Sequence, residues 1–169
     1  FHVAPPILVF EMTWTGTTHA PGNGSTIQTI ACAFPDRDIH FFAEPGHLTE
    51  VRRNASLATD PRIHFHPIAI SPLFPGRTGI VSFRRLAQEF GTIWRGLRTV
   101  CPSGPCLVML ISATCTATFA ASWIARLRRD VAVQVGLHGN LNDMDGARSR
   151  NPAARALDMH AAMTADHGP

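Results

Sequence analysis

Short apolar runs alternate with segments of helical periodicity along most of this chain, and that alternation constrains its fold more than any other feature. Ile7-Leu8-Val9-Phe10, Ile39-His40-Phe41-Phe42-Ala43 and residues 62–68, 107–112 and 131–137 each read as a strand. The first and fourth are nearly continuous apolar runs of the kind that a parallel sheet buries on both faces. Between the strands, Ser25 reads as the N-cap of a helix over residues 26–34, and residues 47–58 read as a second helix. Phe83, Leu86, Phe90, Ile93, Trp94 and Leu97 recur at helical spacing, with Arg84, Arg85, Arg95 and Arg98 assigned to the opposite side. A further helix over residues 116–129 carries Phe119, Ala120, Trp123, Ile124 and Leu127 on one face, and its last turn is crowded with Arg126, Arg128 and Arg129. The order predicts an α/β domain: a Rossmann-like, open, mostly parallel sheet with helices on both faces. Residues 1–143 make up that domain, and 144–169, punctuated by Asp145-Gly146 and Asn151-Pro152, read as a linker or a C-terminal helix or tail.

Composition narrows the chemistry. An apolar fraction of 45% and a charged fraction of 16% over 169 residues exclude a disordered polymer and suffice for one core. No run approaches the length of a membrane-spanning helix. The opening residues lack the basic leader and long apolar stretch of a secretory signal, so the chain reads as cytoplasmic. Every basic residue is arginine. Guanidinium suits phosphate recognition, whereas the absence of lysine removes the P-loop and Schiff-base chemistries. Cys32, Cys101, Cys106 and Cys115 form no C-x-x-C pair and read as reduced thiols. His40, His64 and His66 suggest a metal at first sight, and His64 and His66 share a strand face, but no third ligand follows at a usual zinc spacing, so neither a metal nor a cofactor is expected. The interleaved aromatic and basic pattern of an RNA-binding sheet is missing, which argues against a nucleic-acid partner.

In open parallel sheets, ligands bind beyond the carboxyl ends of the strands. Three polar loops are expected at that edge, spanning residues 16–25, 112–118 and 138–143. In the first, Gly16, His19, Asn23 and Gly24 are candidate binding residues, because glycine lets backbone N–H groups approach an anion at a helix start. Gly22-Asn23-Gly24 imitates a dinucleotide fingerprint, yet Ile27 stands where its third glycine belongs. The second loop is rich in hydroxyls that helix capping accounts for, and no G-x-S-x-G elbow is present. In the third, His138 is the candidate catalytic residue, with Gly139 permitting close approach and Asn140 adding an amide.

These pieces together resemble the N-terminal domain of GT-B fold glycosyltransferases of the family-four type. The resemblance rests on Ile7-Leu8-Val9-Phe10 with its glycine loop, on Phe41-Phe42-Ala43-Glu44-Pro45-Gly46-His47, and on the strand ending at His138-Gly139. It implies an acceptor-side domain working with a nucleotide-sugar donor and a sugar or lipid-linked acceptor, without metal. It also implies that His138 contacts a hydroxyl of the transferred sugar and that the Gly16 loop lies near the donor diphosphate. The family's Glu-x7-Glu donor signature has no counterpart among these residues, so a separate C-terminal catalytic half is expected as partner. The basic amphipathic segment around Phe83–Leu97 adds a peripheral membrane contact as a further expectation. The alternative class is a non-catalytic module that binds a nucleotide or phosphorylated metabolite.

Overall fold

The computed structural model describes residues 4–12, 20–69, 79–111 and 115–136. The strands are β1 (Ile7–Glu11), β2 (Ile39–Ala43), β3 (Ile63–Pro67), β4 (Cys106–Ile111) and β5 (Val131–Val135). The helices are α1 (Ala20–Ala33), α2 (Pro45–Val51), α3 (Ala55–Thr59), α4 (Gly79–Val100) and α5 (Cys115–Leu127). All five strands are parallel, in the order β3-β2-β1-β4-β5. This is the open Rossmann-like α/β sheet that the alternation predicts.

The chain winds outward from β1 to β3, then returns across the sheet to β4 and β5. Crossovers of one hand must change face when the winding direction reverses. Accordingly, α1, α2 and α3 pack with Ile7, Val9, Ile39, Phe41 and Ile63 on one face. On the other, α4 and α5 pack with Leu8, Phe10, Phe42, Val108 and Leu110. The central strand is sealed from both sides, with Ile7, Leu8, Val9 and Phe10 all at 0% exposure. No helix among the described residues is long and apolar enough to cross a membrane.

Helix boundaries differ from the sequence reading in three places, the first being the end of α5, which stops at Leu127 and leaves Arg128 and Arg129 in the turn beyond it. Ser25 is not an N-cap: α1 starts at Ala20, and the Ser25 hydroxyl donates back to the Pro21 carbonyl at 3.2 Å. Thr26 and Thr29 do the same to Gly22 and Ser25. Proline is tolerated in a first helical turn, and the stripe Ala20, Asn23, Gly24, Ile27, Ile30 and Ala31 buries a full helix face, so packing outweighs the glycines. The segment 47–58 is two helices rather than one. Asn54 breaks it, its side chain accepting from the Ser56 amide at 3.1 Å as the N-cap of α3.

Arginine forks tie down the amino edge of the sheet. Arg62 pairs with Asp60 at 2.6 Å and donates to the carbonyls of Ala31, Phe34 and Pro35 at the end of α1. Arg128 pairs with Asp130 at 2.8 Å and reaches the carbonyls of Cys101, Pro102 and Gly104. That second turn needs glycine, because Gly104 has φ +90°. Cys101 and Cys106 flank it as unbridged, buried thiols, and burial together with Cys101 pushes the Cys106 thiol up to about 12. Such a thiol is unreactive at neutral pH.

Candidate functional site

The carboxyl edge is where the strands feed their loops. Glu11 pairs with Ile111, and Leu110 with Val135, so β1, β4 and β5 end nearly level. The Gly136 amide continues the ladder by donating to Leu110 at 2.7 Å. The carboxyl ends of β1, β4 and β5 therefore lie side by side; residues 115–118, read as part of the second polar loop, open α5 instead, and residues 112–114 and 138–143 lie outside the described residues.

Side chains alternate along β1, sending Ile7, Val9 and Glu11 toward the α1 face and Leu8, Phe10 and Met12 toward the α4 face. A carboxylate at the end of so apolar a strand has to be met by donors. Asn23, on the buried stripe of α1, donates its Nδ2 to Glu11 Oε2 at 2.7 Å and lies 3.0 Å from His47 Nε2. All three residues are at most 2% exposed. His47 is aimed inward by the start of α2. The Glu44 carboxylate caps that helix by accepting from the His47 amide at 3.1 Å, and Pro45 occupies its first turn. The network has almost no contact with solvent, so it positions the strand end instead of reacting with a diffusing substrate.

The opposite face carries a second buried polar group. Arg85 on α4 pairs with Glu89 one turn later, their side chains 3% and 1% exposed, and Arg85 Nη2 donates to the Met12 carbonyl. Arg85 thus faces the sheet, not the outer side to which the sequence pattern assigns it with Arg84, Arg95 and Arg98. Desolvating this ion pair is costly, and the added bond to a backbone carbonyl offsets part of that cost. Glu11 and Met12 are therefore held from both faces at the point where β1 gives way to the glycine loop.

Of the sequence candidates, Asn23 and Gly24 lie in α1 and not in a loop. Asn23 is committed to Glu11 and His47, and Gly24 packs against Leu57, whose Cδ1 would lie 3.7 Å from an added Cβ. Gly16, His19, His138, Gly139 and Asn140 lie outside the described residues. Glu11, His47, Arg85 and Glu89 were not among the candidates. A signal for three of them was present in the sequence, an acid closing an apolar strand and an i,i+4 Arg–Glu pair on an amphipathic helix; no spacing marked His47.

His40, His64 and His66 do come together, on the β2–β3 half of the α4 face. His40 Nδ1 is 3.0 Å from His66 Nε2, and the His40 ring stacks on His64 at 4.6 Å between centroids. His66 stacks on Phe42 at 4.5 Å, and Phe42 on Phe10 at 4.4 Å. Burial, then the neighbouring His64 and His66, lowers His40 to about 4, and burial also lowers His66. The rings stack instead of converging, and among the described residues no group of three or more His, Cys, Asp or Glu could hold a metal ion. Beside the stack, a groove of about 280 Å³ runs between α4 and the end of β3, lined by Phe42, His66, Ile68, Thr92 and Arg95 among others.

Comparison of the sequence with models of known protein families and with curated proteins gave no match.

Proposed function

We propose that this domain is the N-terminal, acceptor-side half of a two-domain glycosyltransferase, working on the cytoplasmic side with a nucleotide-sugar donor. One observation carries the reading: two independent buried polar networks, from opposite faces of the sheet, converge on the end of the strand that feeds the glycine loop. Stability alone favours apolar residues at such positions, and polar groups buried against that rule concentrate where a loop must be held in place for function. The level ends of β1, β4 and β5 support a shared ligand edge. On this reading the Gly16 loop and His138 face the interdomain cleft, where fixed donors stabilise the departing diphosphate. A donor-binding domain carrying Glu-x7-Glu completes the enzyme.

Turnover assays with a panel of nucleotide sugars test the proposal. The chain alone is expected neither to hydrolyse nor to transfer from any donor. Adding a donor-binding domain, sought first in adjacent reading frames, restores transfer, and His138→Ala then lowers kcat. Unaided turnover overturns the shared-site reading. Nucleotide or phosphometabolite binding that no donor-binding domain converts into transfer favours the non-catalytic module.

A further inference from the structure

The two helical layers of the domain differ in surface charge. In α4 and α5 the charged residues with exposed side chains are Arg84, Arg95, Arg98 and Arg126. α5 contains no acidic residue, and the one acid of α4, Glu89, is buried against Arg85. In the turn after α5, Arg129 adds another exposed guanidinium, and the exposed Asp130 beside it is paired with Arg128 at 2.8 Å. The α1–α3 side mixes signs by contrast, with Asp36, Asp38 and Glu50 among Arg37, Arg52 and Arg53.

The same layer carries the large apolar side chains that the core leaves out: Phe83 at 72%, Trp123 at 50% and Leu127 at 61% exposure. They continue stripes that run along each helix. On α4, Phe83 is followed at helical spacing by Leu86, Phe90 and Trp94, which are half-buried, with Phe90 stacked on Trp94 at 6.0 Å. On α5, Phe119, Trp123 and Leu127 recur every four residues, with Phe119 and Trp123 at 5.8 Å. α4 and α5 pack along one another, so both stripes belong to one helical layer. Scattered apolar residues on a surface need no explanation, but aromatic stripes flanked on both helices by uncompensated arginine do. Interfaces with proteins share the enrichment in aromatic residues and arginine, so it is the lack of any exposed acid on α4 and α5 that favours a partner surface of one charge sign. A layer that combines Trp, Phe and Leu with basic residues alone has the composition of helices that lie in the headgroup region of a bilayer.

We infer that the α4–α5 layer is a docking surface for an anionic phospholipid membrane, with Phe83, Trp123 and Leu127 entering the headgroup boundary and Arg84, Arg98 and Arg126 meeting lipid phosphates. This does not depend on the reaction the domain takes part in. Each basic residue near an anionic surface contributes about 1 kcal/mol, or roughly a five-fold change in partitioning.

Co-sedimentation of the full chain with phosphatidylcholine vesicles, with and without phosphatidylglycerol, tests the inference. Binding is expected only to the anionic vesicles and is expected to weaken as salt is raised. The triple variant Arg84→Gln/Arg98→Gln/Arg126→Gln should lower partitioning on the order of 100-fold. Trp123→Ser with Leu127→Ser should also lower it, and all five side chains are exposed, so circular dichroism should be unchanged. In the unaltered chain, brominated lipid should quench tryptophan emission, and Trp123→Phe should remove most of that quenching. Failure of the unaltered chain to bind anionic vesicles at low salt overturns the inference, as does equal binding by both variants. Self-association or complex formation through these residues, with no vesicle binding, overturns it in favour of a protein interface.

Discussion

At the scale of single residues, Asn23 shows how much one amide can hold. It supplies the Glu11 carboxylate with a donor at 2.7 Å and engages His47 at 3.0 Å in a site closed to water. Asn23→Ala removes one hydrogen bond from each of them and should cost about 1–3 kcal/mol in urea denaturation. Asn23→Asp sets a second carboxylate against Glu11 and should cost more than Asn23→Ala in the same assay. The histidine stack makes a separate prediction. Because the folded pKa of His40 is lowered to about 4 from an ordinary 6.5, the unfolded chain binds the proton first as pH falls. Stability should therefore decline from about pH 6.5 towards 4, by thermal melts, and His40→Leu should flatten that decline. The contribution of Asp60, lowered by its hydrogen bonds from Arg62, lies in another window: it is present above 3.8 and lost only below it. Acid melts should thus show the histidine loss first.

At the scale of elements, the approach of α4 to the sheet depends on Gly96. A Cβ there would lie 2.8 Å from Phe10 Cζ and 3.2 Å from Phe42 Cε1, two rings already stacked on each other. Overpacking costs about 1–3 kcal/mol, and alanine recovers up to about 1 kcal/mol of helix propensity. Gly96→Ala should therefore destabilise the domain by about 1–2 kcal/mol, read as a lower denaturation midpoint. The strands were legible in the sequence because each is a short apolar run bounded by polar or turn residues, and α4 because its apolar pattern is long and set by one period. The start of α1 was not, since glycine and proline signal a loop locally and only the buried stripe from Ala20 to Ala31 overrides them. Residues 47–58 held a real cap at Asn54 that continuous helical periodicity concealed. Arg85 was misplaced for a related reason: helical spacing fixes its angle, but charge argues for solvent, and only Glu89 and the Met12 carbonyl make burial tolerable. In the site itself, the shared carboxyl edge of β1, β4 and β5 could be inferred from the strand–helix alternation, whereas the Glu11–Asn23–His47 network joins residues from three elements that no sequence period connects.

At the scale of the whole molecule, the question is whether the polar groups at the end of β1 hold the fold or the functional edge. The Arg85–Glu89 pair can separate the two. Removing one partner leaves an uncompensated charge in the core, so Arg85→Ala should cost about 3–5 kcal/mol and says little about function. Replacing both with apolar residues of similar size, Arg85→Met with Glu89→Leu, removes the charges together. What remains is the Met12 carbonyl without its arginine donor, a loss of about 1–3 kcal/mol. A folded double variant is therefore expected, with α4 still seated on Phe10 and Phe42 through Gly96. If the pair serves stability alone, hydrogen exchange in that variant should rise evenly across the sheet in proportion to the small loss. If it holds the exit of β1, exchange should rise selectively at the carboxyl ends of β1 and β4 while the amino ends, pinned by Arg62 and Arg128, stay protected. The second outcome is expected, because the arginine forks at the amino edge bond exposed turns, whereas Arg85 spends a buried charge on one carbonyl at the ligand edge.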